Sequence, residues 1–216
     1  IRIGEAKGIK TAHLGVTEMT NGMYLPKGSQ YRLIYAENTA LIERLIKKAK
    51  GMADVVVVSV HWGTEDTYTL TEKQKTLAQQ MVDWGADIIF GNHPHVVQKL
   101  TLLTRASDGA KCPVIFALGN FVSAQLYGRN MVSGLLTVTV TKSGATGKTS
   151  YSGMKFTPLV THYGAKFSNI TIYPFSEYTD ALAAKHGVRA QTGNFSRAFV
   201  QKIIDANIPK EYQDLS

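Results

Sequence analysis

The chain contains 216 residues, 44% of them hydrophobic, with 24 Lys and Arg against 16 Asp and Glu, a formal net charge of +8. This apolar content supports a packed core and excludes collagen, coiled coils and wholly disordered chains. The apolar runs are far shorter than the roughly 20 residues that a membrane-spanning helix requires, so no segment is predicted to cross a bilayer.

The positive charge does not point to a nucleic-acid partner. Lys and Arg are spread along the chain, and the densest group, Lys47, Lys48 and Lys50, lies in a stretch with helical apolar spacing. Lysines at such positions usually line the solvent-exposed side of a helix, and no aromatic platform or groove motif accompanies them. We therefore predict no nucleic-acid partner.

The first half of the chain predicts alternating strands and helices. In chain order these are a strand, a helix, a strand, a helix and a strand, over residues 9–16, 38–50, 54–60, 71–85 and 87–90. The middle strand is a continuous β-branched run, typical of a strand that is buried on both faces. The second helix begins with a capping box at Thr71 and Gln74 and ends at Gly85. This order indicates a parallel sheet with a helical crossover.

The second half changes character. Strands are predicted over residues 96–103, 113–118, 135–141, 154–160 and 170–173, joined by turn-rich links that favour antiparallel pairing. Two helices are predicted at the end of the chain, over residues 177–185 and 195–206.

Three of the six histidines follow predicted central strands. His61 follows one strand, and His93 and His95 follow the next. In an open α/β sheet the carboxyl ends of parallel strands form the functional edge, so the three imidazoles are predicted to converge. Alternate residues of an extended segment point the same way, and Pro94 would stiffen that segment. A lone histidine is more often structural, but the three together predict a metal site, since imidazole is the commonest protein metal ligand.

The same region carries long, ordered motifs. They are, in one-letter code, HWGxE from His61, GADIIxGxHPHVVQ from Gly85 and LGNF from Leu118. With these motifs the chain resembles the bacterial poly-γ-glutamate capsule-synthesis (CapA-like, PGA_cap) proteins. That family is similar in turn to the calcineurin-like metallophosphoesterases. The resemblance extends over residues 9–140.

The resemblance implies a fold and a metal centre. The expected fold class is α/β (α+β), a calcineurin-like metallophosphoesterase-type β-sandwich flanked by helices. The expected centre holds two divalent ions (Mn, Fe or Zn), with His61 and His93 as ligands of one metal and His95 as a ligand of the other. His13, His162 and His186 have no comparable context and are predicted to be non-catalytic.

Four more residues become candidates through the resemblance. Asn120 would face the site in a catalytic or substrate-binding role, or it forms a turn. Glu65 would bind substrate, or it is a solvated loop carboxylate. Trp62 would stack on substrate, or it belongs to the core. Asn92 stands where relatives often have histidine and is a candidate substrate-binding residue.

Several ligands of the family pattern are missing from the chain. The family begins with an aspartate after the first strand, a strand ending near Asn-Glu and an Asn-Asn-His motif, and none of these occurs. The carboxylates near the histidines are Glu65, Asp66 and Asp87, and Asp87 lies at the wrong end of its strand. A two-metal site needs a bridging carboxylate. We therefore expect at most one weakly held ion and an inactive chain in isolation.

The missing ligands suggest the C-terminal portion of a longer protein. Residues 1–150 would be the C-terminal part of the CapA-like metallophosphatase-fold domain, incomplete at its N-terminus, and residues 151–216 an extension packing on it. Loss of upstream strands would expose the edge of strand 9–16 or 54–60. Such an edge favours a homodimer or association with the missing half.

Two classes of function remain open. The first is a metal-dependent hydrolase or transferase of capsule synthesis when full-length, acting on a phosphoester or an anionic γ-glutamyl polymer. The second is a non-catalytic surface component that binds or guides the anionic capsule polymer. By resemblance the protein would work outside the cytoplasm at the bacterial cell surface, held to the membrane only through an upstream anchor.

Overall fold

The computed structural model describes residues 1–216, which form nine strands and four α-helices. The strands are β1 Arg2–Ala6, β2 Ile9–Thr17, β3 Val55–His61, β4 Ile88–Asn92, β5 Leu100–Thr104, β6 Lys111–Ile115, β7 Val132–Lys142, β8 Thr149–His162 and β9 Thr171–Pro174. The helices are α1 Thr39–Lys50, α2 Glu72–Trp84, α3 Asp180–Lys185 and α4 Arg197–Asn207. No helix is long and apolar enough to span a membrane.

The larger sheet has six strands in the order β1-β2-β3-β4-β6-β5. Strands β2, β3, β4 and β6 are parallel, and β1 and β5 pair antiparallel at the two edges. The predicted crossover from β3 through α2 to β4 is confirmed. The carboxyl ends of the four parallel strands therefore lie along one edge of the sheet.

Strand β1 was not predicted from the sequence, and it changes the expectation about open edges. It pairs antiparallel with β2 across a turn at Lys7 and Gly8, whose φ angles are 50° and 75°. Two positive φ values are typical of a tight hairpin. Strand β3 in turn lies between β2 and β4. The expectation that strand 9–16 or 54–60 is an open edge is therefore wrong, because both have hydrogen-bonded neighbours on each side.

Helices α1 and α2 cover one face of the larger sheet. Asn38 caps α1 by accepting a hydrogen bond from the Leu41 amide, and Thr71 forms the predicted capping box with Gln74 at the start of α2. Gly85 ends α2 in the left-handed conformation at φ 118°, which favours glycine. The apolar sides of both helices pack against β2, β3 and β4 in a core cluster of 19 buried residues.

The opposite face of the larger sheet packs against a second, three-stranded antiparallel sheet in the order β7-β8-β9. A core cluster of 17 buried residues joins Ile115 of the first sheet with Phe156 of the second and with Ile204 of α4. The predicted β-sandwich flanked by helices is confirmed. The predicted division at residue 150 falls inside β8, which pairs with β7 along most of its length.

The predicted strand over residues 96–103 is only half correct, because β5 begins at Leu100. The buried Gln98 side chain lies in this interval. It accepts a hydrogen bond from the Gln74 side chain at 3.0 Å and donates one to the Thr67 carbonyl at 3.0 Å. These contacts hold the segment as an irregular connection between the histidine loop and β5.

A buried ion pair fastens the sheet at the end opposite the histidines. Asp87, 1% exposed, accepts hydrogen bonds from the Val56 amide at 2.8 Å and from Arg105 Nη2 at 2.6 Å. Lys50 approaches the same carboxylate at 2.8 Å. The guanidinium of Arg105 also donates to the Val82 and Ala86 carbonyls. Asp87 therefore links β3, the end of α2 and the β5–β6 hairpin.

We predict that Asp87→Asn lowers the free energy of unfolding by roughly 3–5 kcal/mol, because it removes the buried carboxylate of Arg105 and leaves only the exposed Asp108 as a charged partner. Chemical denaturation measures the loss. Asp108→Asn is a matched control on the same arginine, since Asp108 is 53% exposed and should cost less than about 1 kcal/mol. Equal losses in the two variants would contradict this account.

A second buried group couples the stability of the fold to pH. His186 is 2% exposed, its Nδ1 accepts a hydrogen bond from the Val188 amide, and its Nε2 lies 3.0 Å from the Thr161 carbonyl. Burial lowers the pKa of His186 to about 4, and the carbonyl hydrogen bond opposes that effect only in part. Protonation would remove the acceptor that Val188 uses.

We predict that His186 makes the fold less stable in acid. Its folded pKa lies below the unfolded value of about 6.5, so its contribution is complete above that value and is lost as pH falls toward 4. The fall in unfolding free energy between about pH 7.5 and about pH 5 should shrink by about 2 kcal/mol in His186→Asn. His13→Asn, which changes an exposed histidine, should retain the full fall in the same urea titrations.

Candidate histidine site

The three predicted histidines meet at the carboxyl edge of the parallel strands. His61 ends β3 and is paired in register with Asn92, the last residue of β4, so His93 begins the loop beside it. The ring centroids of His61 and His93 are 4.4 Å apart, and those of His93 and His95 are 6.1 Å apart. The predicted convergence of the three rings is confirmed. Their role as metal ligands stays a prediction.

The backbone brings them together in a way that the sequence did not indicate. The segment is not extended, because His93 has a φ of 102° and His95 a φ of 59°. Such values are uncommon for residues with a side chain and persist only where the surroundings enforce them. Gly91 supplies part of that constraint, since a Cβ there would lie 1.9 Å from the Phe116 carbonyl oxygen. The rings converge through two left-handed residues on a tightly packed strand end.

Asn120 holds the ring of His95. The Asn120 Oδ1 lies 2.8 Å from His95 Nδ1, and its Nδ2 donates to the Asn130 carbonyl and to Gln125 Oε1. A carbonyl can only accept, so the amide orientation is fixed and Oδ1 faces the ring. His95 therefore carries its proton on Nδ1, which leaves the Nε2 lone pair free toward the site. Asn120 contacts the site, as the first of its two predicted alternatives requires.

His93 has a buried nitrogen without a partner. Its side chain is 3% exposed, and Nδ1 forms no hydrogen bond. Burial lowers the pKa of His93, the adjacent His61 ring adds to that effect, and the Glu65 carboxylate opposes it in part. The imidazole is therefore neutral near pH 7, with a lone pair available for a ligand.

Glu65 faces the rings, although it lies on an exposed loop. Its Oε1 is 4.0 Å from His93 Nδ1 and 3.9 Å from His95 Nε2, and its side chain is 52% exposed. These distances are too long for hydrogen bonds and leave space between the carboxylate and both nitrogens. The structure thus favours a site position for Glu65 over the alternative of a purely solvated loop residue.

Glu18 is a site carboxylate that the sequence analysis missed. It follows the end of β2, where its amide donates to the His61 carbonyl at 2.7 Å and its Oε2 accepts from the Gly63 amide at 2.8 Å. The negative charge of Glu18 acts on the pKa of His93. A signal was present, because Glu18 lies two residues beyond a predicted strand that neighbours β3 in a parallel sheet.

A hydrogen-bonded network of Asp66, Arg129 and Asn130 supports the histidine loop. Asn130 Nδ2 donates to Asp66 Oδ1 at 2.6 Å and to the His95 carbonyl at 3.2 Å, and Arg129 Nε lies 3.2 Å from the same Asp66 oxygen. Burial acts to raise the pKa of Asp66, but the hydrogen bonds from Asn130 and Arg129 outweigh it and lower the pKa. Asp66 is therefore ionised. Its hydrogen bond from Asn130, which also donates to the His95 carbonyl, helps to hold the position of His95.

The other two candidates differ from each other. Trp62 is 1% exposed, stacks on Phe116 at 5.7 Å, and donates from Nε1 to the Phe116 carbonyl at 2.8 Å. These contacts favour the core alternative for Trp62 over substrate stacking. Asn92 is exposed and lines a cavity of about 530 Å³ together with His61 and Arg32. It remains accessible to a substrate, on the side of His61 facing β2.

The side chains at the site are of types that bind divalent ions, but they are not arranged as a coordination shell. Neutral imidazoles and carboxylates are common ligands of Mn, Fe and Zn, and the unpartnered His93 nitrogen fits a ligand position. Nevertheless, no group of three or more His, Cys, Asp or Glu side chains is arranged so that it could hold a metal ion. The structure therefore presents donors for one ion without an assembled coordination shell.

Comparison with known proteins now assigns the chain to a family. The bacterial capsule synthesis protein PGA_cap family matches residues 1–125, more than half of the chain. The chain belongs to this family. The resemblance drawn from the HWGxE, HPH and LGNF motifs is thereby confirmed, and the matched region contains every residue of the histidine site except the Arg129–Asn130 support.

Curated relatives support the PGA_cap assignment. The PGA biosynthesis protein CapA of Bacillus subtilis (strain 168) is 33% identical over 140 residues, which cover 65% of this chain and 35% of that protein. The capsule biosynthesis protein CapA of Bacillus anthracis is 34% identical over 132 residues, which cover 60% and 31%. The matched part of the chain thus spans about a third of the length of these relatives.

A solved structure shows a distant likeness to this PGA_cap chain. The NAD nucleotidase (NadN) of Haemophilus influenzae aligns over 95% of this chain and 36% of its own, with 13% identity and a TM-score of 0.41. The family membership rests on the sequence matches.

We predict that Asn120→Ala changes the tautomer of His95. Without the Oδ1 acceptor, no hydrogen bond favours the tautomer that carries its proton on Nδ1. A long-range ¹H–¹⁵N spectrum should then show a mixture of the two neutral tautomers of His95 in place of one. Asn92→Ala is the matched control, because Asn92 is an exposed asparagine beside the same loop. An unchanged His95 spectrum in Asn120→Ala would refute the positioning role.

Proposed function

We propose that this chain takes part in the synthesis of a bacterial capsule and that its histidine site belongs to a metal-dependent hydrolase or transferase. The family membership and the names of the Bacillus CapA relatives support the capsule role. The observation that carries the chemical proposal is the convergence of His61, His93 and His95 with Glu65 at one edge of the sheet. By the same reasoning we place its action at the cell surface.

The chain's own residues have distinct roles in this proposal. His61, His93 and His95 would hold one divalent ion, with Glu18 as a further carboxylate at the site. Such an ion supplies Lewis-acid polarisation of a phosphoester or amide oxygen. Asn120 keeps the His95 lone pair directed at the site. Glu65, exposed and about 4 Å from two rings, is placed to accept a proton from an attacking water or hydroxyl group.

The substrate in this proposal is an anion. A divalent ion with imidazole ligands and one carboxylate keeps a net positive charge, which favours an anionic group in the site. The two candidates are a phosphoester and the end of a γ-glutamyl polymer, the classes that the resemblance to metallophosphoesterases and to capsule-synthesis proteins implies. An assay with both classes of substrate separates them.

We predict that the 216-residue chain binds at most one divalent ion and that His93→Asn abolishes this binding. The buried His93 nitrogen has no other partner, so its loss removes a donor that no neighbour replaces. Calorimetric titration with Mn²⁺ and Zn²⁺, checked by elemental analysis, measures the stoichiometry. His13→Asn, in an exposed histidine of β2, should bind as the parent does.

Two results would count against the metal site. Equal metal content in His93→Asn and in the parent would place the ion elsewhere. Two tightly held ions per chain would show that further residues, or a second chain, complete the centre. Hydrolysis of a phosphodiester by the parent but not by His93→Asn would support the enzymatic proposal and would overturn the expectation that the chain is inactive in isolation.

One observation favours a second candidate, a non-catalytic component that binds or guides the anionic polymer. No three donors are arranged to hold a metal ion. In that case the site would act as an anion pocket, and polymer would bind to the chain equally well with and without a metal chelator. Binding that requires Mn²⁺ or Zn²⁺ would exclude this candidate.

A further inference from the structure

A large cavity lies outside the histidine site. It has a volume of about 1070 Å³ and is an open groove between α4, the loop around Tyr68 and the 3₁₀ turn Gly128–Met131. Sites for drug-sized ligands are roughly 300–1,000 Å³, so the groove is larger than a single carboxylate or phosphate needs. None of the predicted site residues lines it.

The charged residues that line the groove are all basic. Three basic residues line it, Lys99, Arg129 and Lys202, and none of the lining residues is Asp or Glu. Arg129 is already paired with Asp66 at 3.2 Å, but Lys99 and Lys202 are exposed and form no ion pair. Lys99 directly precedes β5 and Lys202 lies in α4, so two free ammonium groups from different elements line the groove and can attract more than one anionic group.

The rest of the lining suits a chain that has apolar spacers between its charges. The rings of Tyr68, Tyr127 and Phe199 border the groove, and Arg129 lies over the Tyr127 ring at 4.5 Å. Burial raises the pKa of Tyr68 to about 12, so its hydroxyl stays neutral and can donate a hydrogen bond. The exposed Asn194 amide, which makes no hydrogen bond to the protein, can pair with a peptide-like group.

The groove is connected to the histidine site through one side chain. Arg129 lines the groove and holds Asp66, and Asp66 is joined through Asn130 to the His95 carbonyl. Arg129 therefore contacts both the groove and the residues that support the histidine loop.

We propose that this groove binds an extended polycarboxylate whose repeating units are joined by amides, and that Lys99 and Lys202 pair with successive carboxylates of that chain. The proposal deepens the proposed capsule function and rests on it for the identity of the polymer. The methylene groups of the repeat would pack on Tyr68 and Phe199, and the amides would meet Asn194. A nucleic acid fits less well, because the groove offers two free cations where a phosphate backbone requires many.

The test is binding of a fluorescent oligo-γ-glutamate to the 216-residue chain, measured by anisotropy at low and moderate salt. We expect Lys99→Met with Lys202→Met to weaken binding about tenfold and to reduce its salt dependence, because two pairs with the polymer are lost. Ala198→Glu, which introduces a negative charge on an exposed position of the groove wall, should weaken binding by a similar factor. Circular dichroism checks that each variant is folded.

The matched control is Lys48→Met with Lys185→Met, which removes the same net charge from two exposed lysines outside the groove and should change binding less than about twofold. Binding by the groove variants that equals the parent would overturn the proposal. Equally tight binding of polyphosphate would overturn it as well, since the groove would then bind any polyanion without recognising amide or methylene groups. The anisotropy assay contains a metal chelator, so its outcome does not depend on the histidine site, and loss of Mn²⁺ or Zn²⁺ binding in His93→Asn tests the proposed function separately.

Discussion

The parallel register between β3 and β4 is the constraint on which the site depends. It pairs His61 with Asn92 and leaves the His-Pro-His segment to start directly beside the His61 ring. A shift of one residue would turn His61 to the other face of the sheet, since side chains alternate along a strand. The buried Asp87, which accepts from the Val56 amide and from Arg105 at the opposite end, fixes this register where no functional group is needed.

The histidine loop is held by its surroundings, and its own backbone preference does not favour the observed shape. His93 and His95 have positive φ values, a conformation that costs free energy for a residue with a side chain. The hydrogen bonds of Asn120 to the His95 ring and of Asn130 to the His95 carbonyl offset that cost. Because Asn120 and Asn130 lie 25 and 35 residues along the chain from His95, the shape of the loop depends on tertiary contacts and not on its local sequence.

The sequence predicted the parts of the fold that local patterns determine. The β-branched run of β3, the capping box of α2 and the glycine that ends that helix all carry their structure in neighbouring residues. Strand β1 was missed because its five residues are all exposed and show no alternation. Convergence of His61, His93 and His95 followed from topology, but Glu18 and the left-handed backbone depend on contacts between distant segments, which one sequence does not display.

Lys99 and Lys202 of the groove differ from the general excess of positive charge, because they line one cavity and have no acidic partner. A net charge of +8 spread over the chain attracts any polyanion and distinguishes none. Selectivity requires cations without acidic partners, as Lys99 and Lys202 are, together with apolar surface, which the rings of the groove provide. Arg129 differs from these lysines, since Asp66 neutralises it and directs it toward the support of His95. Because Asp66 also accepts a hydrogen bond from Asn130, which donates to the His95 carbonyl, one carboxylate contacts both a residue of the groove and the support of the histidine loop.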